Sequence, residues 1–195
     1  MKIIPSLILV TAAWSSLASC AGPGGRANYE TPAYQVIKTD GSFEVREYPA
    51  IMVASVPMKA RQSGQNSAFM DLFGYISGKN EKNLKIPMTT PVFGTMNEEE
   101  NSMSFVVPAK VVETGVPEAT NSQVRIAERA AGRFAAYRYS GRWSRAREEK
   151  ARAMLVAWMK AQDLSSIGKI EKASYDPPFT LPSLRRNEVL GRIKP

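Results

Sequence analysis

The sequence predicts an α+β fold in which a β-β-α-β-β unit occurs twice and forms a distorted, mostly antiparallel β-barrel flanked by two α-helices. Three observations predict it: a hairpin signal at Asp40-Gly41, an amphipathic helical stripe that follows, and the same order of elements in the second half. The length of 195 residues accommodates one domain or a duplicated one. Strands do not alternate with helices in the manner of a parallel, doubly wound sheet.

The first half reads as three strands, a helix and two more strands. Asp40-Gly41 separates the β-prone runs 34–39 and 43–48, and both turn residues tolerate the positive φ of a tight hairpin. A third β-prone run covers 51–56. Residues 66–77 predict a helix because apolar side chains recur there with helical spacing. The stripe consists of Phe69, Leu72, Phe73 and Ile76. Extended runs follow at 85–96 and 103–107.

The second half repeats this order after a predicted linker at 112–122. Strands are expected at 124–129 and 133–139, a helix at 144–162, and extended segments at 169–175 and 187–193. A shift of 81 residues places Val53 on Phe134 and Ala54 on Ala135. Few letters match, so the repeat is predicted from element order.

The N-terminus reads as a targeting segment. Residues 1–19 predict a signal peptide, because their apolar stretch is too short to span a membrane. The run Leu17-Ala18-Ser19-Cys20 resembles the lipobox of bacterial lipoproteins, which implies acylation of Cys20 and an anchor in the cell envelope, on the outer-membrane or periplasmic side. Residues 20–32 then form the lipidated cysteine with a flexible tether, and 33–195 the folded domain. The alternative is a plain secretory signal with a leftover cysteine.

Composition excludes several function classes. The chain has no histidine and one cysteine, which excludes a Ser-His or Cys-His nucleophile pair, a zinc site built on imidazole or thiolates, and an internal disulfide. We therefore expect neither an enzyme nor a metal site. The net charge is +8, but acidic residues interleave with the basic ones at 142–152. That pattern indicates a solvated helix face and no nucleic-acid partner; the basic character favours anionic headgroups or the carboxylates of a small ligand.

Three segments resemble the SOUL haem-binding protein family: 44–49 (EVREYP), 74–92 (GYISGKN through IPMTTPV), and 175–189 (YDPPF through LRRNEV). The resemblance covers about residues 33–193. It implies a duplicated, distorted barrel with two helices, and binding of haem or another tetrapyrrole in a shallow apolar groove. In relatives that groove lies beside the first helix and near the loop before the last strand, which correspond here to 66–78 and 176–186.

A porphyrin is a flat apolar plate with two carboxylates on one edge, so its site needs apolar walls and cations at the rim. The predicted walls are Phe69, Met70, Phe73 and Phe179, together with Leu181. The predicted cations are Lys79, Arg185 and Arg186. Some relatives carry a histidine ligand and this chain has none, so Met88 or Met70 are the candidates for iron. The alternative is that the helical stripe, Phe69 and Phe73 included, faces the core.

These features predict non-catalytic binding of haem or a related tetrapyrrole at the cell envelope, as a carrier or buffer. Two other functions stay open. The chain could be an envelope scaffold or interaction lipoprotein, or a general binder of apolar small molecules without haem.

Overall fold

The structure is a computed structural model that describes residues 29–58, 65–95 and 101–194. The predicted signal peptide and Cys20 lie outside the described residues. The strands are β1 (Gln35–Asp40), β2 (Phe43–Tyr48), β3 (Ile51–Met58), β4 (Val92–Thr95), β5 (Asn101–Val106), β6 (Arg125–Arg129), β7 (Gly132–Tyr139), β8 (Ser166–Ser174) and β9 (Asn187–Ile193). The helices are α1 (Gln65–Ile76), α2 (Ala109–Thr114) and α3 (Arg145–Ala161), with a 3₁₀ turn at Pro182–Leu184.

The nine strands form one sheet in the order β1-β2-β7-β9-β8-β4-β5-β3-β6, and every neighbouring pair is antiparallel. Two-residue connections, Pro49-Ala50 and Ala130-Ala131, join β2 to β3 and β6 to β7. These strands lie far apart in the sheet order, so the sheet must curl until its two sides approach. The α+β prediction is confirmed. The barrel is open, because β1 and β6 remain as edges.

The strand order shows the duplication directly. Counted inward from β2 on one side and from β6 on the other, the sheet runs β2-β7-β9-β8 and β6-β3-β5-β4. The first strand of each repeat unit, β2 or β6, therefore lies beside the second strand of the other unit, β7 or β3. Residues related by the shift of 81 occupy equivalent positions. Val53 and Phe134 both lie inside the curled sheet, whereas Ala54 and Ala135 lie beneath α1 and α3 respectively.

The core has three parts. Inside the curled sheet lies an interior cluster that includes Tyr48, Phe93, Phe134, Tyr175 and Leu190. The other two clusters lie on the outer face, one under α1 against β3 and β5, the other under α3 against β7 and β9. Strands β3, β5, β7 and β9 are covered on both faces, so most of their inward and outward positions are apolar.

Two expectations about the helices are wrong. A third helix, α2, begins before the predicted linker 112–122 and continues through its first three residues, and its Val111 packs into the cluster under α1. The alternative in which the whole stripe, Phe69 and Phe73 included, faces the core is wrong as well. Phe69 and Phe73 are exposed. The buried residues of α1 are Ala68, Leu72, Tyr75 and Ile76. Among the described residues, no helix has the length and apolar character needed to cross a membrane.

Candidate functional site

The outer face of α1 presents three large apolar side chains to solvent. Phe69 is 38% exposed, Met70 59% and Phe73 45%. The rings of Phe69 and Phe73 are nearly parallel, with centroids 6.1 Å apart and planes 12° apart. Phe69 also contacts the buried ring of Phe105 on β5 edge-on, at 5.4 Å. The two rings therefore form an ordered apolar surface, since one of them is anchored to the core.

Lys79 adds one cation to this face. Its backbone N–H donates to the carbonyl of Gly74 at 3.0 Å, and a Cβ on Gly74 would lie only 3.2 Å from Cδ of Lys79. The aliphatic stem of Lys79 thus lies against the helix where Gly74 has no side chain. Gly74 is one turn beyond Met70, so the stem lies next to the apolar face. This contact accounts for a glycine inside α1, where it costs about 1 kcal/mol relative to alanine.

Met88, the other predicted iron ligand, lies in the segment between α1 and β4. It is half-buried and packs against the cluster under α1, whereas Met70 is exposed beside the two phenylalanines. Of the two sulfur atoms, that of Met70 is the more accessible to a ligand on α1. The described residues hold no group of three or more Cys, Asp or Glu side chains placed to bind a metal ion.

The loop 176–186, between β8 and β9, holds the other predicted residues. Its tips are apolar and exposed, with Phe179 at 84%, Leu181 at 65% and Leu184 at 55%. Arg185 donates from Nε to the carbonyl of Thr180 at 2.8 Å and from Nη2 to that of Pro178. Its guanidinium therefore ties the loop to itself.

Arg186 faces the inside of the sheet. Its guanidinium donates to Glu188 at 2.8 Å and to the hydroxyl of Tyr34 at 3.1 Å, and lies 3.9 Å from the ring centroid of Tyr175. The structure thus places Arg186 in a buried ion-pair cluster. A role for it at a propionate stays a prediction, and Lys79 is the predicted cation that lies on the α1 face.

The ion-pair cluster is the feature that the sequence did not predict. Arg46 makes two hydrogen bonds to Glu188, at 2.6 and 3.0 Å, and a third to Glu44 at 2.6 Å. The hydroxyl of Tyr175 also donates to Glu188, at 3.1 Å. The side chains of Arg46 and Glu188 are 2% and 0% exposed. This pair joins the segments 44–49 and 175–189, so the residues that carry the family resemblance there build the core.

The electrostatics of the cluster follow from burial and pairing. Burial by itself would lower the pKa of Arg46, but the hydrogen bonds and charge of Glu188 outweigh it and raise the pKa above its usual value. Burial would raise the pKa of Glu188, but Arg46 and then Arg186 hold it below its usual value. All three groups are therefore charged at neutral pH.

A second ion pair, half-buried, crosses the interior. Arg129 of β6 donates to Glu171 of β8 at 2.8 and 3.1 Å. Its guanidinium also lies 4.1 Å from the ring centroid of Phe134 and 4.7 Å from that of Phe93. Nη1 of Arg129 has no hydrogen-bond partner among the described residues, and the aromatic faces provide its electrostatic compensation. Ion pairs and rings thus fill the inside of the sheet, whereas the α1 face is open.

Comparison with known proteins agrees with these features. The family model described as "SOUL heme-binding protein" matches residues 29–192. The chain belongs to the SOUL haem-binding protein family. It is 31% identical over 179 residues to a human protein named Heme-binding protein 2, across 82% of this chain and 84% of the relative. The mouse protein of that name is 32% identical over 164 residues, across 76% and 77%.

Solved structures share the fold of this SOUL protein at low sequence identity. The C-terminal domain of EcmrR aligns with a TM-score of 0.59 and 11% identity, over 83% of this chain and 98% of that domain. A structure titled as a hydrolase from Listeria innocua aligns with a TM-score of 0.56 and 14% identity, over 81% and 94%. At such identities the likeness concerns the fold, and function must be argued from the site.

Proposed function

We propose that this SOUL protein binds haem or a related tetrapyrrole without catalysis, on the exposed face of α1. The supporting observation is that Phe69, Met70 and Phe73 remain exposed on a helix whose Ala68, Leu72, Tyr75 and Ile76 pack into the core. A flat apolar macrocycle would cover these side chains, and the ammonium of Lys79 would meet a propionate at the rim. Family membership supports the same ligand class.

The residues of this chain favour apolar contact with the porphyrin ring over coordination of its iron. The sequence contains no histidine, so no imidazole can coordinate the metal. The thioether of Met70 is the accessible alternative. We therefore expect hemin and metal-free protoporphyrin to bind with similar affinity, because the apolar contact and the propionate pair are common to both.

Titration of the protein with hemin and with metal-free protoporphyrin, followed by absorbance and by tryptophan quenching, tests this proposal. Phe73→Ser should weaken both ligands at least about tenfold, since it removes the burial of an aromatic side chain. The repeat supplies the control: Met154 on α3 is the counterpart of Phe73 and is 38% exposed, so Met154→Ser should leave both affinities unchanged. Equal losses in the two variants would contradict the proposal.

The variant Met70→Leu then distinguishes binding of the porphyrin ring from coordination of its iron. The substitution keeps an apolar side chain of similar volume and removes the sulfur. If the thioether coordinates iron, the visible spectrum of bound hemin shifts while the affinity for metal-free protoporphyrin is unchanged. A spectrum identical to that of the wild-type complex would exclude Met70 as the ligand.

We propose further that the protein acts at the bacterial cell envelope, as a carrier or buffer anchored through acylated Cys20. The lipobox-like run before that cysteine supports the anchor. Metabolic labelling with an alkyne fatty acid should mark the wild-type chain and not Cys20→Ser, and the variant should move from the membrane to the soluble fraction. A wild-type chain that is cleaved but unlabelled would favour the plain secretory signal.

A further inference from the structure

One end of the sheet combines exposed apolar side chains with a concentration of arginines. Two segments form it, and we call them together the end face: the loop 176–186 and the segment 138–147, which leads from β7 into α3. They are held together by a hydrogen bond from the N–H of Gly141 to the carbonyl of Pro182, at 2.8 Å. Asn187, just after the loop, donates from Nδ2 to the carbonyl of Gly141 at 3.0 Å.

The apolar part of the end face is rigid. Besides the bonds of Arg185, the loop contains backbone hydrogen bonds from Thr180 to Pro177 at 3.1 Å and from Leu184 to Leu181 at 2.9 Å. Asp176 accepts the N–H of Arg186 at 2.6 Å. Phe179, Leu181 and Leu184 are therefore held outward on an ordered backbone, which lowers the entropy that binding would cost. Trp143, 37% exposed, adds an aromatic side chain of the kind enriched at membrane interfaces.

The charged part of the end face is basic. A cleft of about 480 Å³ lies between the loop, the end of β7 and the β1–β2 turn, and Arg138 and Arg185 line it with Ser42, Ser140 and Ser183. Arg142, Arg145 and Arg147 follow in the other segment and are exposed. The acids nearby are engaged, since Glu149 pairs with Arg145 at 2.9 Å and Glu148 pairs with Arg152 at 2.9 Å. The end face is thus complementary to a negatively charged surface.

The end face also lies where the chain enters the domain. Val92, the first residue of β4, pairs with Ser174, the last residue of β8, so the loop leaves the sheet at the end where β4 begins. Thr90, just before β4, donates its N–H to the carbonyl of Glu30 at 2.9 Å. The described part of the chain therefore begins, at Tyr29 and Glu30, at the same end of the sheet as the loop.

From these observations we infer that the end face binds an anionic lipid surface, with Phe179, Leu181 and Leu184 entering the interfacial layer and the arginines contacting headgroup phosphates. This contact is separate from acylation of Cys20 and from tetrapyrrole binding on α1. Burial of the apolar side chains strengthens such binding. Each arginine near the bilayer also raises the affinity, by about fivefold.

Vesicle binding of the full chain carrying Cys20→Ser tests the inference, because this background has no acyl anchor and no other cysteine. Without added tetrapyrrole, the protein should sediment with vesicles of mixed phosphatidylcholine and phosphatidylglycerol, and not with phosphatidylcholine alone. Added salt should weaken the binding. Phe179→Ser should reduce the affinity about tenfold or more and Arg142→Gln about fivefold. Lys194→Gln, at an exposed position just after β9 and so at the opposite end of that strand from Asn187, should have no effect.

A site-specific probe locates the contact. In the same background, Phe179→Cys labelled with the fluorophore NBD should brighten when anionic vesicles are added. The matched label at Ile167→Cys should not change, because Ile167 is 42% exposed near the start of β8, at the opposite end of that strand. Equal responses of the two labels, no response of either, or binding that ignores lipid charge would overturn the inference. Brightening with protein concentration alone would also overturn it, in favour of a second copy of the chain.

Discussion

Arg46, Arg186 and Glu188 form a cluster in which one buried and one half-buried cation share a fully buried carboxylate. The desolvation of such charges is offset only when every partner is present, so removing one of them leaves an uncompensated charge inside the sheet. This cluster joins β2 to β9 and to the residue just before β9, through contacts from Arg46 and Arg186 to the same side chain. The cluster therefore stabilises the packing of β2 against β9.

Glu188→Gln should lower the free energy of unfolding at neutral pH by about 3 kcal/mol, because it removes the carboxylate that Arg46 and Arg186 share and leaves Arg46 paired with Glu44 alone. Urea unfolding followed by circular dichroism measures this loss. Glu149→Gln is the control, since it breaks the exposed pair with Arg145, where both side chains are more than half exposed, and should cost less than about 1 kcal/mol.

The acid dependence of the two proteins gives a second readout. The pKa of Glu188 is lowered in the folded state, so its stabilisation is complete above the pKa of an unfolded glutamate and is lost as the pH falls through the folded value. The stability difference between wild type and Glu188→Gln should therefore shrink in acid. A difference that does not change with pH would show that the lost stability has another source.

At the scale of elements, short sequence patterns predicted the turns and helices whose formation depends mainly on residues close in the chain. The predicted hairpin forms, but its two turn residues are Gly41, at φ +57°, and Ser42, one position later than the predicted Asp40-Gly41. The helix α1 begins and ends within one residue of the predicted bounds. The helix α2 has only six residues, too few for local propensity to show. It depends on tertiary contacts, among them the bond from the N–H of Ala109 to Glu30 at 2.7 Å.

The residues missed or misplaced by the sequence depend on packing between elements. On α1 the helical spacing is compatible with two buried faces, one that contains Phe69 and Phe73 and one that contains Ala68 and Tyr75; the structure has the second. Alanine gives a weak hydrophobic signal, so periodicity favoured the phenylalanines. On β2, Val45 lies under α3 and Arg46 lies inside, the reverse of what alternation in a one-sided sheet predicts. The sequence could predict the candidate walls, but not whether they face solvent or the core; all of them are exposed.

At the scale of the whole molecule, the two halves repeat the fold and differ in what they present. The shift of 81 places Phe69 on Lys150 and Phe73 on Met154, so only α1 carries the exposed aromatic pair. The second half supplies most of the end face instead, through the segment before α3 and the loop before β9. The duplicated framework thus separates the face proposed for the tetrapyrrole from the face proposed for lipid.

Buried tyrosines in all three parts of the core predict how the molecule responds to alkali. Burial raises the pKa of Tyr48 in the interior cluster, of Tyr75 under α1 and of Tyr139 beside α3 to about 12 each. The pKa of Tyr175 is raised well above its usual value for the same reason. Because the folded state favours the neutral phenol, its stability is complete below the unfolded pKa near 10 and decreases as the pH rises toward 12. Burial lowers the pKa of Lys172, so this one residue makes the folded state more stable as the pH rises, opposite to the tyrosines.

Urea unfolding at a series of alkaline pH values should therefore show the free energy of unfolding falling by several kcal/mol between about pH 10 and 12. Tyr75→Phe should cost about 1 kcal/mol at neutral pH, because it removes the 2.9 Å hydrogen bond to the carbonyl of Pro117. The same variant should decline less steeply in alkali, since one raised pKa is gone. Identical slopes for the two proteins would show that the phenol of Tyr75 is not protected by folding, and tyrosinate absorbance measured in parallel would identify the groups that ionise first.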